Sequence, residues 1–347
     1  MQAVTPRVAL VGAGRWGANH LRVLRTIGAS PIVVDADETV LRRLADAGVP
    51  RADLTKSLDD VLDRIDCAIV ATPATAHAAV CARLLKAGKD VLCEKPMGTT
   101  AAEALSLARL AAAEGRLLQA GYILRFDPAA VWMRDAVAEG AFGRLRMLRG
   151  HFGGFKRPRA DTGVTLADGV HFLDLFNFVL GVPPAHASAR TARFLGRAHD
   201  DQSHLWLDYA QPGGAPVLAS VESGYHLPGK HREVVVVGDR MTAVCDFNVA
   251  QYKIRIHENR HEVTPSGIQI VEGPARQLEF PPVELLLVEV RAFLDSVRTR
   301  QPAGATAMDA YRCLRAVEAA LGGEGVGVPI RYAAGVADAP PRRKARA

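Results

Sequence analysis

The first third of the chain alternates short apolar runs with stretches of helical periodicity. The runs expected to form strands are residues 7–12, 31–35, 67–73, 90–96 and 116–122. Their central residues are continuously apolar instead of alternating, which is typical of strands buried on both faces of a sheet. A regular succession of strand and helix predicts an α/β fold, a doubly wound parallel sheet with right-handed crossovers.

The pattern changes near Gly143, where apolar and polar residues begin to alternate. The strand candidates of this part are residues 144–152, 186–196, 203–210, 216–226, 232–238, 240–247 and 251–258. Alternation of this kind is typical of a sheet that is covered on one face only. One strong helical pattern, residues 166–180, interrupts the strands, and two more, residues 283–300 and 307–323, close the chain. We therefore expect an α+β domain with a largely antiparallel open sheet.

An open sheet leaves one face without an intramolecular cover. A second copy of the chain is the simplest cover for such a face. The sequence therefore predicts a homodimer or homotetramer that assembles through the open sheet of the second domain.

A chain of 347 residues is long for a single domain. We expect a dinucleotide-binding Rossmann domain over residues 1–122 and a substrate-binding and oligomerisation domain over residues 123–335. Residues 336–347 are expected to be a basic, disordered tail. This tail holds four basic residues of a chain whose net charge is +6. Because the basic excess lies mainly there, nucleic-acid binding is not expected.

Other partners are limited by what the sequence lacks. No apolar run reaches the roughly 18 residues of a membrane span. The first residues show no basic region followed by an apolar core, so we expect a cytoplasmic protein without a signal peptide. The five cysteines form no C-x-x-C pair, and the histidines are scattered without ligand spacing. We expect neither a disulfide framework nor a metal site.

The sequence Gly12-Ala13-Gly14-Arg15-Trp16-Gly17 follows the first strand and opens the first helix. In that context, G-x-G-x-x-G indicates dinucleotide binding. The first glycine permits a tight turn, the second lets the backbone approach a pyrophosphate, and the third lets helix and strand pack closely. The free N–H groups of the helix N-terminus favour the phosphates.

An acidic residue, Asp35, ends the second strand. A carboxylate at this place accepts hydrogen bonds from the adenosine ribose hydroxyls and repels a 2′-phosphate. No arginine follows directly, since the next residues are Ala36 and Asp37. The sequence therefore favours NAD over NADP.

Further motifs carry a family resemblance. They are Thr72-Pro73 with His77, Glu94-Lys95-Pro96, Gly121-Tyr122, Arg125-Phe126-Asp127-Pro128, and Gly169-Val170-His171 with Asp174. In this order, and after the glycine motif, the sequence resembles the Gfo/Idh/MocA family of oxidoreductases over nearly its whole length. The resemblance implies hydride transfer between a nicotinamide cofactor and a secondary alcohol carbon of a sugar-like substrate.

The resemblance also implies roles for individual residues. Thr72, Pro73, His77, Glu94 and Lys95 would lie at the cofactor, with Arg15 and Trp16 of the glycine turn. Residues implied at the substrate are Lys95, Tyr122, Arg125, Asp168, His171 and Asp174, and Lys156 is expected there as part of a basic loop.

Three of these residues are the catalytic candidates, Lys95, His171 and Asp168. Lys95 is the active-site lysine of the family, and an ammonium there can bind the substrate hydroxyl and favour a developing alkoxide. His171 is the candidate general base, because imidazole titrates near neutral pH.

A carboxylate partner for His171 is less clear from the sequence. Many family members carry aspartate four residues before this histidine, where this chain has Ala167, and the aspartate here is Asp168. On a regular helix, Asp168 and Asp174 would both flank His171 on one face. Either Asp168 takes over the family role, or the carboxylate contributes less.

The substrate remains open between two classes. Residues 14–19 and 123–128 are similar to family members that act on nucleotide-linked sugars, and Lys156, Arg157 and Arg159 form a basic loop that could bind a diphosphate. This favours a 3-dehydrogenase or 3-ketoreductase of a nucleotide-linked sugar. The alternative enzyme acts on a free sugar, inositol or aminocyclitol. A third hypothesis is a dinucleotide-binding sensor without catalysis, against which the presence of Lys95 and His171 argues.

Overall fold

The chain divides into two compact units in a computed structural model, which describes residues 6–211, 214–323 and 325–334. Of these residues, the first unit contains 6–123, 284–311 and 334, and the second contains 124–211, 214–283, 312–323 and 325–333. The predicted tail, residues 336–347, lies outside the described residues. The predicted domain boundaries stay a prediction.

The described residues form the following strands: β1 Val8–Val11, β2 Ile32–Val34, β3 Leu54–Thr55, β4 Cys67–Val70, β5 Asp90–Glu94, β6 Leu118–Gly121, β7 Leu145–Gly154, β8 His186–Ala192, β9 Gln202–Tyr209, β10 Val217–Gly224, β11 Lys230–Gly238, β12 Thr242–Asp246, β13 Ile254–His257, β14 Arg260–Thr264, β15 Gly267–Val271, β16 Ala275–Leu278, β17 Ala305–Thr306 and β18 Val328–Pro329. The α-helices are α1 Gly17–Thr26, α2 Glu38–Asp46, α3 Ala74–Lys86, α4 Ala101–Glu114, α5 Pro128–Ala138, α6 Val170–Leu180, α7 Leu285–Thr299 and α8 Ala307–Gly322.

The sheet of the first unit has the strand order β17-β6-β5-β4-β1-β2-β3. Strands β1 to β6 pair in parallel, and only β17 runs antiparallel to its neighbour. The order 3-2-1-4-5-6 is that of a Rossmann fold. Strands β1, β4 and β5 are buried at every position, as the continuous apolar stretch within each of them predicts.

The main sheet of the second unit has nine strands in the order β16-β13-β12-β11-β7-β10-β9-β8-β18. All neighbours pair antiparallel except β7 and β10, which are parallel. Strands β14 and β15 form a separate two-stranded sheet. The predicted fold class, a Rossmann domain followed by an α+β domain with a largely antiparallel sheet, is confirmed.

One face of the nine-stranded sheet packs on α6. Gly150 lies so close to this helix that a Cβ there would be 2.7 Å from the ring of Phe172. The opposite face exposes the apolar side chains Met147, Trp206 and Leu218 on three neighbouring strands. Alternation of apolar and polar residues along the sequence thus corresponds to two chemically different faces.

The closing helix α7 belongs to the first unit, although the sequence pattern grouped it with the second domain. Its apolar side chains Leu286, Val290 and Phe293 join the buried cluster that contains Leu10 of β1 and Leu24 of α1. Helix α7 belongs to the first unit because its apolar face is buried against α1.

The helix that carries His171 begins irregularly. Residues Thr165–Gly169 form a π-helical turn, and regular α-helix starts at Val170. A π turn contains one more residue than an α turn, so side-chain directions before and after it are offset.

Among the described helices, none is long and apolar enough to cross a membrane.

Candidate active site

The glycine turn between β1 and α1 is closed by tight backbone packing. Gly12 has a φ of +89°, and its N–H donates to the Val34 carbonyl at 2.8 Å. A Cβ on Gly12 would lie 2.7 Å from the Thr72 nitrogen, and one on Gly17 only 2.0 Å from the Gly12 oxygen. These two positions therefore require glycine, the first for its conformation and contacts and the second for contact alone.

The middle glycine of the motif is in a different situation. A Cβ on Gly14 would meet no described atom within 4 Å. Arg15 and Trp16, which follow it, are exposed. The turn therefore has open space beside its backbone at the start of α1, which is the place where a pyrophosphate would approach.

The carboxylate of Asp35 is bound to this turn. Its Oδ2 accepts a hydrogen bond from the Ala13 N–H at 2.7 Å, and its Oδ1 accepts one from the Asp37 N–H at 2.9 Å. A carboxylate oxygen can accept more than one hydrogen bond, so Asp35 keeps acceptor capacity for hydroxyl groups. The sequence predicted its place beside the cofactor but not its bond to the glycine turn.

At the end of β5, the buried carboxylate of Glu94 links the glycine turn to the predicted active-site lysine. Its Oε1 accepts hydrogen bonds from Trp16 Nε1 at 2.6 Å and from His20 Nε2 at 2.7 Å. Its Oε2 accepts a long one, 3.3 Å, from the backbone N–H of Lys95. Burial by itself would raise the pKa of Glu94, but the hydrogen bonds from His20 and Trp16 and the charge of Lys95 hold it below its ordinary value.

Two loops at the carboxyl ends of the strands are joined by His77. Its Nδ1 lies 2.7 Å from the Pro96 oxygen and its Nε2 lies 2.8 Å from the Thr72 oxygen. His77 is buried, so it positions these loops instead of presenting a free ring.

The Thr72 hydroxyl is a buried atom with no hydrogen-bond partner among the described residues. Lys95 is half-buried, and the Lys95–Pro96 peptide bond is cis.

In the second unit, the imidazole of His171 is held by an aromatic ring. It stacks on Phe152 of β7 with the ring centroids 4.8 Å apart and the ring planes 15° apart. The neighbouring carboxylate of Asp168 forms an ion pair with Lys156, with 2.7 Å between Lys156 Nζ and Asp168 Oδ2. An imidazole, a carboxylate and an ammonium thus lie on adjoining elements of this unit.

The two aspartates near His171 have different surroundings. Asp168 lies in the π-helical turn, so the regular helical spacing assumed from sequence does not apply to it. Asp174 is buried, and both of its oxygens accept hydrogen bonds from Arg125, at 2.9 Å from Nε and 2.7 Å from Nη2. Arg125 and Asp174, which were both predicted to contact the substrate, thus form a bidentate ion pair with each other. Ala167, at the family position of the aspartate, is buried.

The predicted basic loop is partly neutralised within the second unit. Lys156 is paired with Asp168, and Arg159 is paired with Asp161 at 2.8 Å. Arg157 is exposed. The loop therefore offers less uncompensated charge than its sequence indicates.

The structure places the predicted site residues in two groups, one in each unit. Those of the first unit are Gly12, Gly14, Arg15, Trp16, Gly17, Asp35, Thr72, Pro73, His77, Glu94, Lys95 and Tyr122, and those of the second are Arg125, Lys156, Asp168, His171 and Asp174. Within the first group, Tyr122 is buried, with 1% of its surface exposed.

Several residues of these surroundings were not predicted. His20 and Glu289 adjoin Glu94, and Phe152, Tyr225 and Arg232 adjoin the His171 region. They lie in ordinary helix or strand patterns, so only the tertiary structure distinguishes them. Among the described residues, no group of three or more His, Cys, Asp or Glu side chains could hold a metal ion.

Comparison with known proteins gives matches over both parts of the chain. Residues 6–122 match the oxidoreductase family with an NAD-binding Rossmann fold, and residues 131–244 match the GFO/IDH/MocA C-terminal domain. Inositol 2-dehydrogenase 1 of Saccharopolyspora erythraea is 29% identical, over 94% of this chain and 96% of that protein. Inositol 2-dehydrogenase of Acidothermus cellulolyticus is 30% identical, over 68% of this chain and 71% of that protein.

Among solved structures, GenD2 from gentamicin A biosynthesis, in complex with NAD, is similar with a TM-score of 0.78 and 25% identity. The match covers 96% of this chain and 98% of that one. The chain belongs to the Gfo/Idh/MocA family of oxidoreductases. It is an NAD-dependent oxidoreductase of sugars or polyols.

The first unit fits NAD by three observations. The space beside Gly14 is open, the Thr72 hydroxyl is buried without a hydrogen-bond partner among the described residues, and Asp35 is fixed beside the turn. The glycine turn would hold the pyrophosphate and Asp35 the adenosine ribose.

Proposed function

We propose that this protein moves a hydride between NAD and a secondary alcohol carbon of a cyclic polyol or sugar, with His171 as general base and Lys95 as the group that binds the reacting hydroxyl. The observation that carries the proposal is the placement of His171, which is fixed by stacking on Phe152 in the same unit as the Asp168–Lys156 ion pair. An imidazole held in one orientation is suited to accept a proton without rearrangement.

NAD, when bound, supplies the hydride acceptor at its nicotinamide. The Lys95 ammonium donates a hydrogen bond to the substrate hydroxyl and favours its ionised form. A ring nitrogen of His171 accepts the hydroxyl proton as the carbon loses its hydride, and returns it when the ketone is reduced. Asp168, neutralised by Lys156, contributes to substrate orientation.

The variant His171→Ala tests the assignment of the base. We expect its turnover to fall by at least about a hundredfold, because no side chain then takes the hydroxyl proton. NADH formation with myo-inositol, D-glucose and UDP-N-acetylglucosamine, each at saturating concentration, is the measurement. NAD binding, followed by calorimetry, is expected to stay within about threefold of the unmodified protein.

The matched control for this variant is His257→Ala on β13, a half-buried histidine outside the site. It is expected to keep normal turnover. Near-normal turnover of His171→Ala would contradict the assignment of the base. Tight NAD binding without hydride transfer to any substrate would favour a sensor over an enzyme.

For the substrate class, we propose a cyclic polyol or sugar that carries no nucleotide. Two observations support it. Relatives that match over most of their length include inositol 2-dehydrogenases. Lys156 and Arg159 of the basic loop are already paired with carboxylates, so the loop is less suited to a diphosphate than its sequence indicated.

A nucleotide-linked sugar, oxidised or reduced at its 3-position, is the second candidate. The exposed Arg157 in the basic loop favours it, because an arginine can bind a diphosphate with two parallel hydrogen bonds. The same three substrates distinguish the candidates. NADH formation with UDP-N-acetylglucosamine alone would support the second candidate and contradict the first.

For assembly, we propose a homodimer or homotetramer that buries the exposed face of the nine-stranded sheet. The exposed Met147, Trp206 and Leu218 support this proposal, since contiguous apolar side chains on a sheet face are typical of an interface. A cytoplasmic location also stays a proposal.

A further inference from the structure

A row of four side chains crosses the nine-stranded sheet beside His171. The register pairs Ser203 of β9 with Ser223 of β10, Ser223 with Phe152 of β7, and Phe152 with Arg232 of β11. Residues paired in this way share one face of the sheet. Phe152 stacks on His171. A Cβ on Gly169, the last residue of the π-helical turn, would lie 3.2 Å from the Ser223 hydroxyl. The row therefore lies against the turn that carries Asp168 and the first turn of α6.

Arg232, at one end of this row, is a half-buried cation. Its guanidinium carbon lies 3.5 Å from the centroid of the Phe152 ring. Its hydrogen bonds to described residues all leave from Nη1, to the Gly153 carbonyl at 2.8 Å and to the His231 carbonyl. An arginine has five N–H groups, so those of Nε and Nη2 are left for another acceptor. Solvent reaches both Nε and Nη2, because neither is a fully buried atom that lacks a hydrogen-bond partner.

A second cation lies over the same ring. Lys156 Nζ is 5.8 Å from the centroid of Phe152 and 5.5 Å from that of Tyr225. The ion pair of Lys156 with Asp168 neutralises one of the two cations. Among the described residues, no carboxylate lies within ion-pair distance of Arg232. One positive charge next to His171 is thus without a carboxylate of its own.

Hydroxyl groups beside Lys156 and along the row add acceptor and donor capacity. The Tyr225 phenol and the Ser203 and Ser223 hydroxyls are buried atoms that have no hydrogen-bond partner among the described residues. Tyr225 has only 3% of its surface exposed. Buried polar atoms are almost always hydrogen-bonded in the state in which a protein acts, so these groups indicate a ligand or bound water here.

Burial works against the charge of Arg232. It lowers the pKa of this guanidinium, and the nearby Asp168 carboxylate opposes the effect only in part. A half-buried cation with free N–H groups is stabilised when an anion binds it. The cation–π contact with Phe152 fixes the guanidinium plane in advance. The entropy cost of ordering the Arg232 side chain is therefore already included in folding and does not reduce the affinity for the ligand.

We infer that the substrate of the proposed reaction carries an oxyanion, a carboxylate or a phosphate, directly on its ring, and that Arg232 binds it with Tyr225 beside it. Arg232 determines specificity and takes no part in the proton transfer. The inference rests on the proposed function, and it narrows the substrate class from neutral polyols to acidic ones.

Binding to protein saturated with NADH tests the inference without turnover. Calorimetry compares two matched pairs, D-glucuronate with D-glucose and myo-inositol 1-phosphate with myo-inositol. In at least one pair, we expect the anion to bind at least about tenfold more tightly than its neutral partner. Preference in the first pair identifies a carboxylate and preference in the second a phosphate.

The variant Arg232→Met removes the charge and keeps a long side chain. We expect it to reduce the preference for the anion to within about threefold, with the affinity for the neutral partner unchanged. Arg232→Lys keeps the charge but not the planar pair of donors, and we expect it to retain a smaller preference. This second variant keeps the test decisive if the methionine variant does not fold. Arg255→Met, on the exposed side of β13, is the matched control and should behave as the unmodified protein.

Equal binding of anions and neutral partners by the unmodified protein would overturn the inference. Equal weakening of both by Arg232→Met would also overturn it, because that result describes a purely structural arginine. The proposed function fails separately, when none of the four compounds forms NADH in the presence of NAD. Turnover of neutral rings without any preference for anions would leave the function standing and remove the inference.

Discussion

Two glutamates of the first unit are buried, and their surroundings give them opposite properties. Glu94 accepts hydrogen bonds from Trp16 and His20, which favour its ionised form. Glu289, on α7, is fully buried, and neither of its oxygens has a hydrogen-bond partner among the described residues. Burial raises the pKa of Glu289 well above its ordinary value, and the Glu94 charge adds to the effect. The surroundings therefore shift the pKa values of these two buried carboxyl groups in opposite directions.

The variant Glu289→Gln is expected to change how stability depends on pH. In the unfolded chain, Glu289 loses its proton near the ordinary pKa of 4.5, while the folded chain keeps it. The folded state thus binds the extra proton, so stability is lost as pH rises between the two pKa values, by up to about 1.4 kcal/mol per pH unit. Because glutamine does not titrate, the melting temperature of the variant should exceed that of the unmodified protein by a margin that grows as the pH rises above 4.5.

Thermal unfolding at several pH values measures this margin. The exposed Glu139, substituted in the same way, is the control and should give a pH profile parallel to that of the unmodified protein. A constant margin for Glu289→Gln across the range would mean that Glu289 is ionised in the folded state.

At the residue scale, the sequence predicts the positions of residues whose role depends on a short motif or on the end of a strand. Gly12 and Gly17 lie within one turn of neighbouring residues, and Asp35 directly follows β2, so the glycine motif and the strand end locate them. Arg232 and Glu289 could not be found, since their surroundings come from strands and helices far away in the chain. The pairing of Asp174 with Arg125 was missed for the same reason.

At the scale of elements, two glycines of the glycine turn have different roles: Gly17 is required for packing, and Gly14 is expected to be required for ligand binding. Gly17→Ala is expected to destabilise the first unit by about 1–3 kcal/mol, because its Cβ would lie 2.0 Å from the Gly12 oxygen. Gly14→Ala meets no described atom within 4 Å, so we expect normal stability and weaker NAD binding. Thermal unfolding without ligand and NAD titration measure the two effects.

The two alanine variants are controls for each other. Loss of stability by Gly14→Ala, or its absence in Gly17→Ala, would contradict the separation. A Gly14→Ala protein that binds NAD normally would show that the pyrophosphate does not approach this position.

Elements with a strong pattern were predicted, and short or irregular ones were not. The buried strands and the alternating strands β7 to β13 lie where the pattern indicated. Strands β3 and β17 have two residues each, too few for a period to be recognised. The π-helical turn before α6 has no sequence signal of its own, so the offset between Asp168 and His171 was not foreseen.

At the scale of the whole molecule, the exposed face of the nine-stranded sheet predicts assembly. Leu218 and Met147 are direct neighbours across the parallel pair β7 and β10, and both are exposed. Leu218→Glu places a charge in this surface and is expected to shift the protein to monomers, as measured by light scattering during size-exclusion chromatography.

The control is Leu321→Glu on α8, an exposed leucine outside that sheet. It should leave the mass unchanged. If Leu218→Glu keeps the mass of the unmodified protein, assembly does not use this face.

Helix α7 determines when the first unit can become complete during synthesis. Its residues Leu286, Val290 and Phe293 fill part of the core beside Leu10 and Leu24, yet they leave the ribosome after most of the second unit. Domains generally fold as units once their residues have emerged. The nascent dinucleotide unit therefore lacks part of its apolar core for about half of translation, until α7 emerges.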